Sequence, residues 1–210
     1  MSDVTSNQVA ADYQTILQVA PSSAYATSVA AQIDAGALTE AQLEASLLGS
    51  QQAMYSSLPA LIEIDAFYGV TPTTASLTMV SNYATGLFNA GESVANIWSI
   101  LGLEFAHNST FENLYSGVSD LTFTQDVYQL VFGAAPTAAI ANLLASEIPA
   151  LATDFPQFST DDMGGRGALY GALLYYAETN QMGKFYSAAN TYLTDQAEIA
   201  FQTGVAADNA

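Results

Sequence analysis

The sequence predicts an all-α fold, a helical bundle of roughly 8–10 short helices built on a repeated helix–Pro corner–helix unit. Apolar residues recur at helical spacing through most of the chain, and strand-like alternation is missing. Three segments also share one pattern: "YQTILQVAPSSA" from Tyr13, "IDAFYGVTPTTA" from Ile64 and "YQLVFGAAPTAA" from Tyr128. In each, a proline that cannot continue a helix is followed by a hydroxyl residue suited to cap the next one.

The first unit is predicted to contain three helices. Val9, Tyr13 and Ile16 fall at helical spacing, and Pro21 stops that helix. The second helix is capped by the serines after Pro21 and ends near Gly36, because serine favours the N-cap and glycine the C-terminal turn. The third runs from an N-cap at residue 39 to about residue 49.

The remaining helices follow from the same signals. They are predicted at residues 61–69, 74–85, 93–106, 110–118, 124–133, 137–148, 166–179 and 184–202. We expect a single helical domain over residues 1–203, with internal repeats near 9–50, 61–90 and 124–151. Residues 204–210 are predicted to be a frayed tail or a linker.

The charge balance excludes several classes of function. The chain has 20 acidic residues but only Lys184 and Arg166 as basic ones, giving a formal net charge of −18. Two cations cannot form the basic groove that nucleic acid requires, nor hold an anionic membrane surface. Cysteine is absent, which excludes disulfides and thiolate chemistry. We expect no nucleic-acid partner, no membrane insertion and no enzymatic activity.

The segment "STDDMGGRG" contains a candidate metal site at Asp161 and Asp162. Two aspartates beside glycines resemble part of a calcium loop, although the alternating ligands and the closing Glu of an EF-hand are missing. The alternative, which the residues favour, is a helix start: Ser159 or Thr160 caps the helix, and the acids suit the dipole of its first turn.

Two further groups have both a binding and a structural interpretation. His107, the only histidine, stands three residues after Glu104 in a Glu-x-x-His arrangement, but a helix-end role beside carbonyl groups is favoured. Arg166 is a candidate ligand-binding residue, although one guanidinium makes no phosphate clamp and is better suited to pin a nearby acid or carbonyl.

Tyrosines form the remaining candidate site. Tyr170, Tyr175 and Tyr176 cluster in "LYGALLYYAE" and offer flat apolar faces with a hydroxyl, which is the chemistry of a sugar-binding platform. At helical spacing, the alternative is that most of them are core residues whose hydroxyls reach a polar partner.

The repeated units resemble a known family. The units "YQTILQVAPSSAYATSVAAQIDAGALTEAQLEASLLGS" and "VYQLVFGAAPTAAIANLLASEIPAL", together with "GGRGALYGALLYYAETN", are similar to the N-terminal helical domains of alphaproteobacterial surface-layer and RTX-type secreted proteins. The Arg and Asp that often flank the proline in that family are replaced here, for example by Val19 and Ser22.

The resemblance implies a secreted or cell-surface protein. Such domains hold a protein to the cell envelope by binding outer-leaflet polysaccharide, often with calcium, which makes calcium the candidate cofactor. The N-terminal residues have no basic and apolar regions of a signal peptide, so we expect export by another route. The alternative is a structural module that packs only against copies of itself, which predicts an apolar exposed patch instead of a polar groove.

Overall fold

The computed structural model describes residues 4–158 and 161–208, with side chains described up to residue 202. Within these residues the regular structure is α-helical and contains no strand, so the all-α prediction is confirmed. The twelve helices are α1 (Ser6–Leu17), α2 (Ser23–Asp34), α3 (Glu40–Leu48), α4 (Gln51–Tyr55), α5 (Ser57–Tyr68), α6 (Thr74–Asn89), α7 (Val94–Phe105), α8 (Ser109–Tyr115), α9 (Asp120–Phe132), α10 (Ala138–Asp154), α11 (Asp162–Thr179) and α12 (Gly183–Asp208). None of these helices combines the length and the apolar character needed to cross a bilayer.

The chain divides into two compact units. The first comprises Met1–Leu58 and Ala189–Ala210, and the second comprises Pro59–Ala188. The prediction of one domain over residues 1–203 stays a prediction. The α12 backbone is helical as far as Asp208, beyond the start predicted for the tail.

The first unit has its core between α1, α2 and α3, where α1 packs against both neighbours. Buried aliphatic side chains from the three helices meet there, namely Val9, Ile16, Val29, Leu43 and Leu47. The hydroxyl of Ser57 donates to the carbonyl oxygen of Ile16. It thereby satisfies a group that the end of α1 leaves without a helical partner.

The second unit is organised around the contact between α7 and α11. Glycines face each other across this contact, and a Cβ added to Gly167 would overlap the carbonyl oxygen of Gly102. A Cβ added to Gly171 would likewise overlap the carbonyl oxygen of Trp98. The two backbones approach closely because neither glycine has a side chain to separate them.

The structure corrects several predicted boundaries. Helices α5 and α9 each begin four residues earlier than predicted, at Ser57 and Asp120. Helix α10 ends later than predicted. The helix was expected to end near Ile148, before Pro149, yet it continues through Pro149 to Asp154. Ile148 and Ala152 are buried, and α10 packs against α11. Burial of this face offsets the hydrogen bond that the proline removes.

The three proline corners have similar local backbone geometry. The residue three before each proline has a left-handed φ, at 58° in Gln18, 66° in Gly69 and 74° in Gly133. The residue after each proline is an N-cap with extended backbone, whose hydroxyl accepts from the backbone N–H three residues on. That the three segments are copies of one architectural unit stays a prediction.

Candidate functional site

A groove lies at the second proline corner, between the end of α5 and the start of α6. Helix α5 ends at Tyr68, and the Gly69 N–H donates to the carbonyl oxygen of Asp65 at 2.8 Å. Gly69 has φ 66°, which a residue with a Cβ adopts only with strain. Pro72 is buried, and Thr73 caps α6 by accepting from the Ser76 N–H at 3.2 Å.

The groove has a volume of about 320 Å³ and is mainly apolar. Its apolar walls are formed by Ile64, Tyr68, Val70, Met79, Val80 and Phe105. Met79 is 67% exposed and Val70 is 52% exposed, so the rim of the groove presents apolar side chains to solvent. Tyr68 and Phe105 meet edge to face with ring centroids 5.5 Å apart, which fixes one aromatic wall.

Two hydroxyl groups of the groove are engaged within the corner. Those of Thr73 and Ser76 lie 3.0 Å apart, and Ser76 also donates to the Thr73 carbonyl oxygen at 2.9 Å. Tyr68 and Thr71 carry the other two hydroxyls of the lining. The groove therefore suits apolar groups better than a ligand that needs many hydrogen bonds.

The structure separates the three predicted ligand-binding tyrosines. Tyr170 is 1% exposed and packs against Phe67 with ring centroids 4.9 Å apart. Burial raises its pKa, and nearby charges add to the effect. Tyr175 is half-buried beside Trp98, whereas Tyr176 is 56% exposed. The three do not form one surface platform; of them, Tyr176 presents an open face.

Arg166 is buried in α11 and holds the connection between α8 and α9. Its Nε donates to the carboxylate of Asp120 at 2.8 Å, and its two terminal nitrogens donate to the carbonyl oxygens of Tyr115 and Val118 at 2.6 and 2.9 Å. Its Cζ atom also lies 5.8 Å from the ring centroid of Phe123. These contacts agree with the interpretation that Arg166 holds a nearby acid and carbonyl groups. The guanidinium donates to groups of the protein itself.

Asp161 and Asp162 lie at the start of α11. The Asp161 carboxylate accepts from the Gly164 N–H at 2.7 Å, so the N-cap is Asp161 and not Ser159 or Thr160, which lie outside the described residues. Asp162 is exposed in the first turn. Among residues 4–158 and 161–208, neither belongs to a group of three carboxylates or imidazoles spaced to hold an ion. Calcium binding there stays a prediction.

His107 follows the end of α7, near the start of α11. Its Nε2 lies 3.7 Å from the Asp161 carboxylate, and its Nδ1 lies 4.0 Å from that of Glu112. The side chain is 37% exposed. The imidazole therefore lies near two acids, Glu112 and Asp161.

Three carboxylates of the first unit form a cluster that the sequence patterns did not reveal. Asp12 on α1 and Glu40 and Glu44 on α3 offer oxygens that all lie within 4.8 Å of one another. Burial, together with the charges of Glu40 and Glu44, raises the pKa of Asp12 to about 8. Burial, with the charges of Glu44 and Glu198, raises the pKa of Glu40 to about 7.

One signal of this cluster was present in the sequence. Glu40 and Glu44 are four apart in a predicted helix, so they share a face and repel each other. The contact of that face with Asp12 joins residues 28 positions apart and depends on how α1 packs against α3, which no local pattern specifies.

No protein-family model matches the chain, and no curated protein matches it. The resemblance to surface-layer and RTX-type domains accordingly stays a prediction.

Proposed function

We propose that this chain is a non-catalytic assembly module of an exported cell-surface protein, and that its groove at the second proline corner receives apolar side chains from another copy of the chain. The observation that supports the proposal is the apolar groove of about 320 Å³ with Val70 and Met79 exposed on its rim. Mainly apolar clefts of this volume are a common form of binding site in proteins.

The lining chemistry supports a protein partner. None of the groove residues, all of which belong to the described part of the chain, carries a carboxylate or a basic group. A polypeptide with aliphatic side chains can fill such a groove without leaving charges desolvated. Met79 is unbranched and adaptable, which suits a rim that closes over an inserted side chain.

A face of α10 has the chemistry of the inserted group. Ile140 and Leu143 are three residues apart, so they share one helical face, and they are 39% and 61% exposed. A groove on one copy that receives α10 of the next is a heterologous contact, which repeats from copy to copy. Such a contact links successive copies into a ring or an open filament.

Charge sets the conditions for association. Each copy has a formal net charge of −18, so copies repel at low ionic strength. Salt shortens the range of this repulsion to about 8 Å at physiological ionic strength. We expect association through the apolar contact to increase as salt is added.

The proposal is tested by sedimentation velocity at increasing protein and salt concentration. Wild type should form larger species, and M79E should remain monomeric because its charge enters the apolar rim. L114E is the matched control, because Leu114 is 62% exposed on α8 and lies outside the groove. A wild-type chain that is monomeric at every salt concentration, or an M79E chain that associates like L114E, contradicts the proposal.

Polysaccharide binding is a second candidate, supported by the exposed ring of Tyr176. This ring is 56% exposed and meets Phe132 edge to face, with centroids 6.1 Å apart. Phe132 in turn contacts Tyr128 at 4.5 Å, so an aromatic strip follows α9 and α11. Aromatic faces of this kind suit the apolar side of a sugar ring.

The polysaccharide candidate is tested with smooth and O-chain-deficient lipopolysaccharide, each with calcium and with chelator. Binding of wild type to the smooth form alone, lost in Y176A, supports it. Y83A is the matched control, because Tyr83 is 41% exposed on α6 and lies outside the aromatic strip. Equal binding of both lipopolysaccharides, or none, removes this candidate and leaves the assembly proposal unchanged.

A further inference from the structure

The carboxylate cluster of the first unit has the geometry of a cation site. Asp12 projects from α1, while Glu40 and Glu44 stand one turn apart on α3, and one oxygen from each lies within 4.8 Å of the others. We propose that Asp12, Glu40 and Glu44 bind one hard divalent cation of the calcium type, at a site separate from the groove.

The burial of Asp12 is a second observation that points to a ligand. Its side chain is 0% exposed, and neither of its carboxylate oxygens has a hydrogen-bond partner among the described residues. Glu44 is 5% exposed, and one oxygen each of Glu44 and Glu40 is also buried without a partner. Buried carboxylates are paired or coordinate a metal, because their desolvation is otherwise uncompensated.

The first unit offers no side chain that can neutralise these acids. Its residues, 1–58 and 189–210, contain no Lys, Arg or His in the sequence. A salt bridge between side chains of the unit is therefore excluded by composition. Bound protons or a bound cation can neutralise the acids instead.

The donor set selects the class of cation. All three side chains are carboxylates, and hard cations such as calcium and magnesium prefer oxygen ligands. Two oxygens bound to one calcium at about 2.4 Å are separated by at most about 4.8 Å. The observed spacing meets this limit. Calcium takes about six to eight oxygens in flexible geometry, so bidentate carboxylates and water complete the shell.

Glu198 adds a fourth acid to the surroundings. It lies on α12 within the same unit, and its charge acts on both Glu40 and Glu44. Glu198 is exposed, and it does not belong to the group of three closely spaced carboxylates. We expect it to raise cation affinity without being essential for binding.

The test uses the chelator-treated full chain at neutral to mildly alkaline pH in about 0.15 M KCl, which screens diffuse binding to surface acids. Calorimetric titration with calcium chloride should give one saturable site. Thermal unfolding should show a rise of about 5–10 °C in Tm at a calcium concentration about 100 times Kd. A parallel titration with magnesium chloride reports the preference within the class.

Substitutions assign the site. D12N and E44Q should each weaken calcium binding by at least about tenfold, since they remove a ligand charge. E63Q is the control for a buried acid outside the cluster, and D195N is the control for an exposed acid of the same unit. Both should bind calcium like wild type.

D12N also distinguishes lost binding from lost folding. Without calcium, D12N should be at least as stable as wild type because it removes a buried repelling carboxylate. At the calcium concentration used for wild type, the rise in its Tm should be at most about half that of wild type. The proposal is overturned if wild type gives no saturable titration, or if D195N and D12N lose the response equally. It is also overturned if D12N still responds as wild type does.

Discussion

The contact between α7 and α11 allows a quantitative prediction from a single methyl group. In G167A the new Cβ would overlap the carbonyl oxygen of Gly102 and lie 2.5 Å from the Cβ of Ala106. Carbon atoms in good contact lie about 3.5–4.0 Å apart, so the two helices have to separate by about 1 Å. The obstructing atoms belong to the backbone and to a Cβ, which cannot rotate away.

The magnitude follows from two opposing effects. Overpacking a core costs about 1–3 kcal/mol and more where nothing can adjust, so we expect about 4 kcal/mol here. Replacing Gly by Ala inside a helix returns about 1 kcal/mol. The net loss of about 3 kcal/mol lowers Tm by about 6–12 °C for a chain of this size.

Equilibrium urea unfolding, followed by far-UV circular dichroism, measures this loss. The matched control is G86A, because Gly86 lies inside α6 and a Cβ there meets nothing within 4 Å. G86A should stabilise the chain by about 1 kcal/mol. The double variant G102A/G167A should lose less stability than the sum of the losses of G102A and G167A. The helix separation forced by one methyl group also makes room for the other. If G167A is as stable as G86A, the close approach of the two backbones is refuted.

Three further predictions concern individual side chains. Glu63 is fully buried, and burial holds its pKa well above 4.5. Above pH 4.5 the folded chain therefore keeps a proton that the unfolded chain releases. The free energy of unfolding falls by about 1.4 kcal/mol per pH unit until the pKa of the folded state is reached. E63Q should therefore gain stability over wild type as pH rises, measured by urea unfolding across pH, while the exposed-site control E147Q should not. R166K should lose about 2–4 kcal/mol of stability, because a lysine cannot keep all three contacts of Arg166. The control K184Q, at an exposed position, should change stability by less than about 0.5 kcal/mol. Equal effects of the two substitutions in thermal unfolding would contradict the pinning role of Arg166. P149A should raise stability by about 1–3 kcal/mol, because alanine restores an N–H to the interior of α10, and a loss instead would show that the proline is required there.

Local signals predicted the helix starts at the proline corners, but not the start of α9 at the Ser119 N-cap. Ser22 and Thr73 begin their helices as expected, because a hydroxyl N-cap acts within one turn. The same reasoning was wrong at Pro149, where burial against α11 outweighs the local cost. Local chemistry therefore predicts a boundary only where tertiary packing does not oppose it.

The orientation of α11 could not be predicted from the sequence. Residues 164–171 of this helix are buried on every side, so apolar periodicity does not mark a core face. Tyr170 and Tyr176 consequently looked alike, although the first is in the core and the second is exposed. The partners of Arg166 include two backbone carbonyl oxygens, a feature that residue type does not encode.

The central claim, that a groove on one copy receives α10 of another, is tested most directly by mixing two defective variants. M79E has a damaged groove and an intact α10 face, whereas L143E has the reverse. Each variant alone should sediment as a monomer, and the equimolar mixture should form a complex of twice the chain mass, because one intact contact remains. Monomers in the mixture at concentrations where wild type associates would contradict the claim.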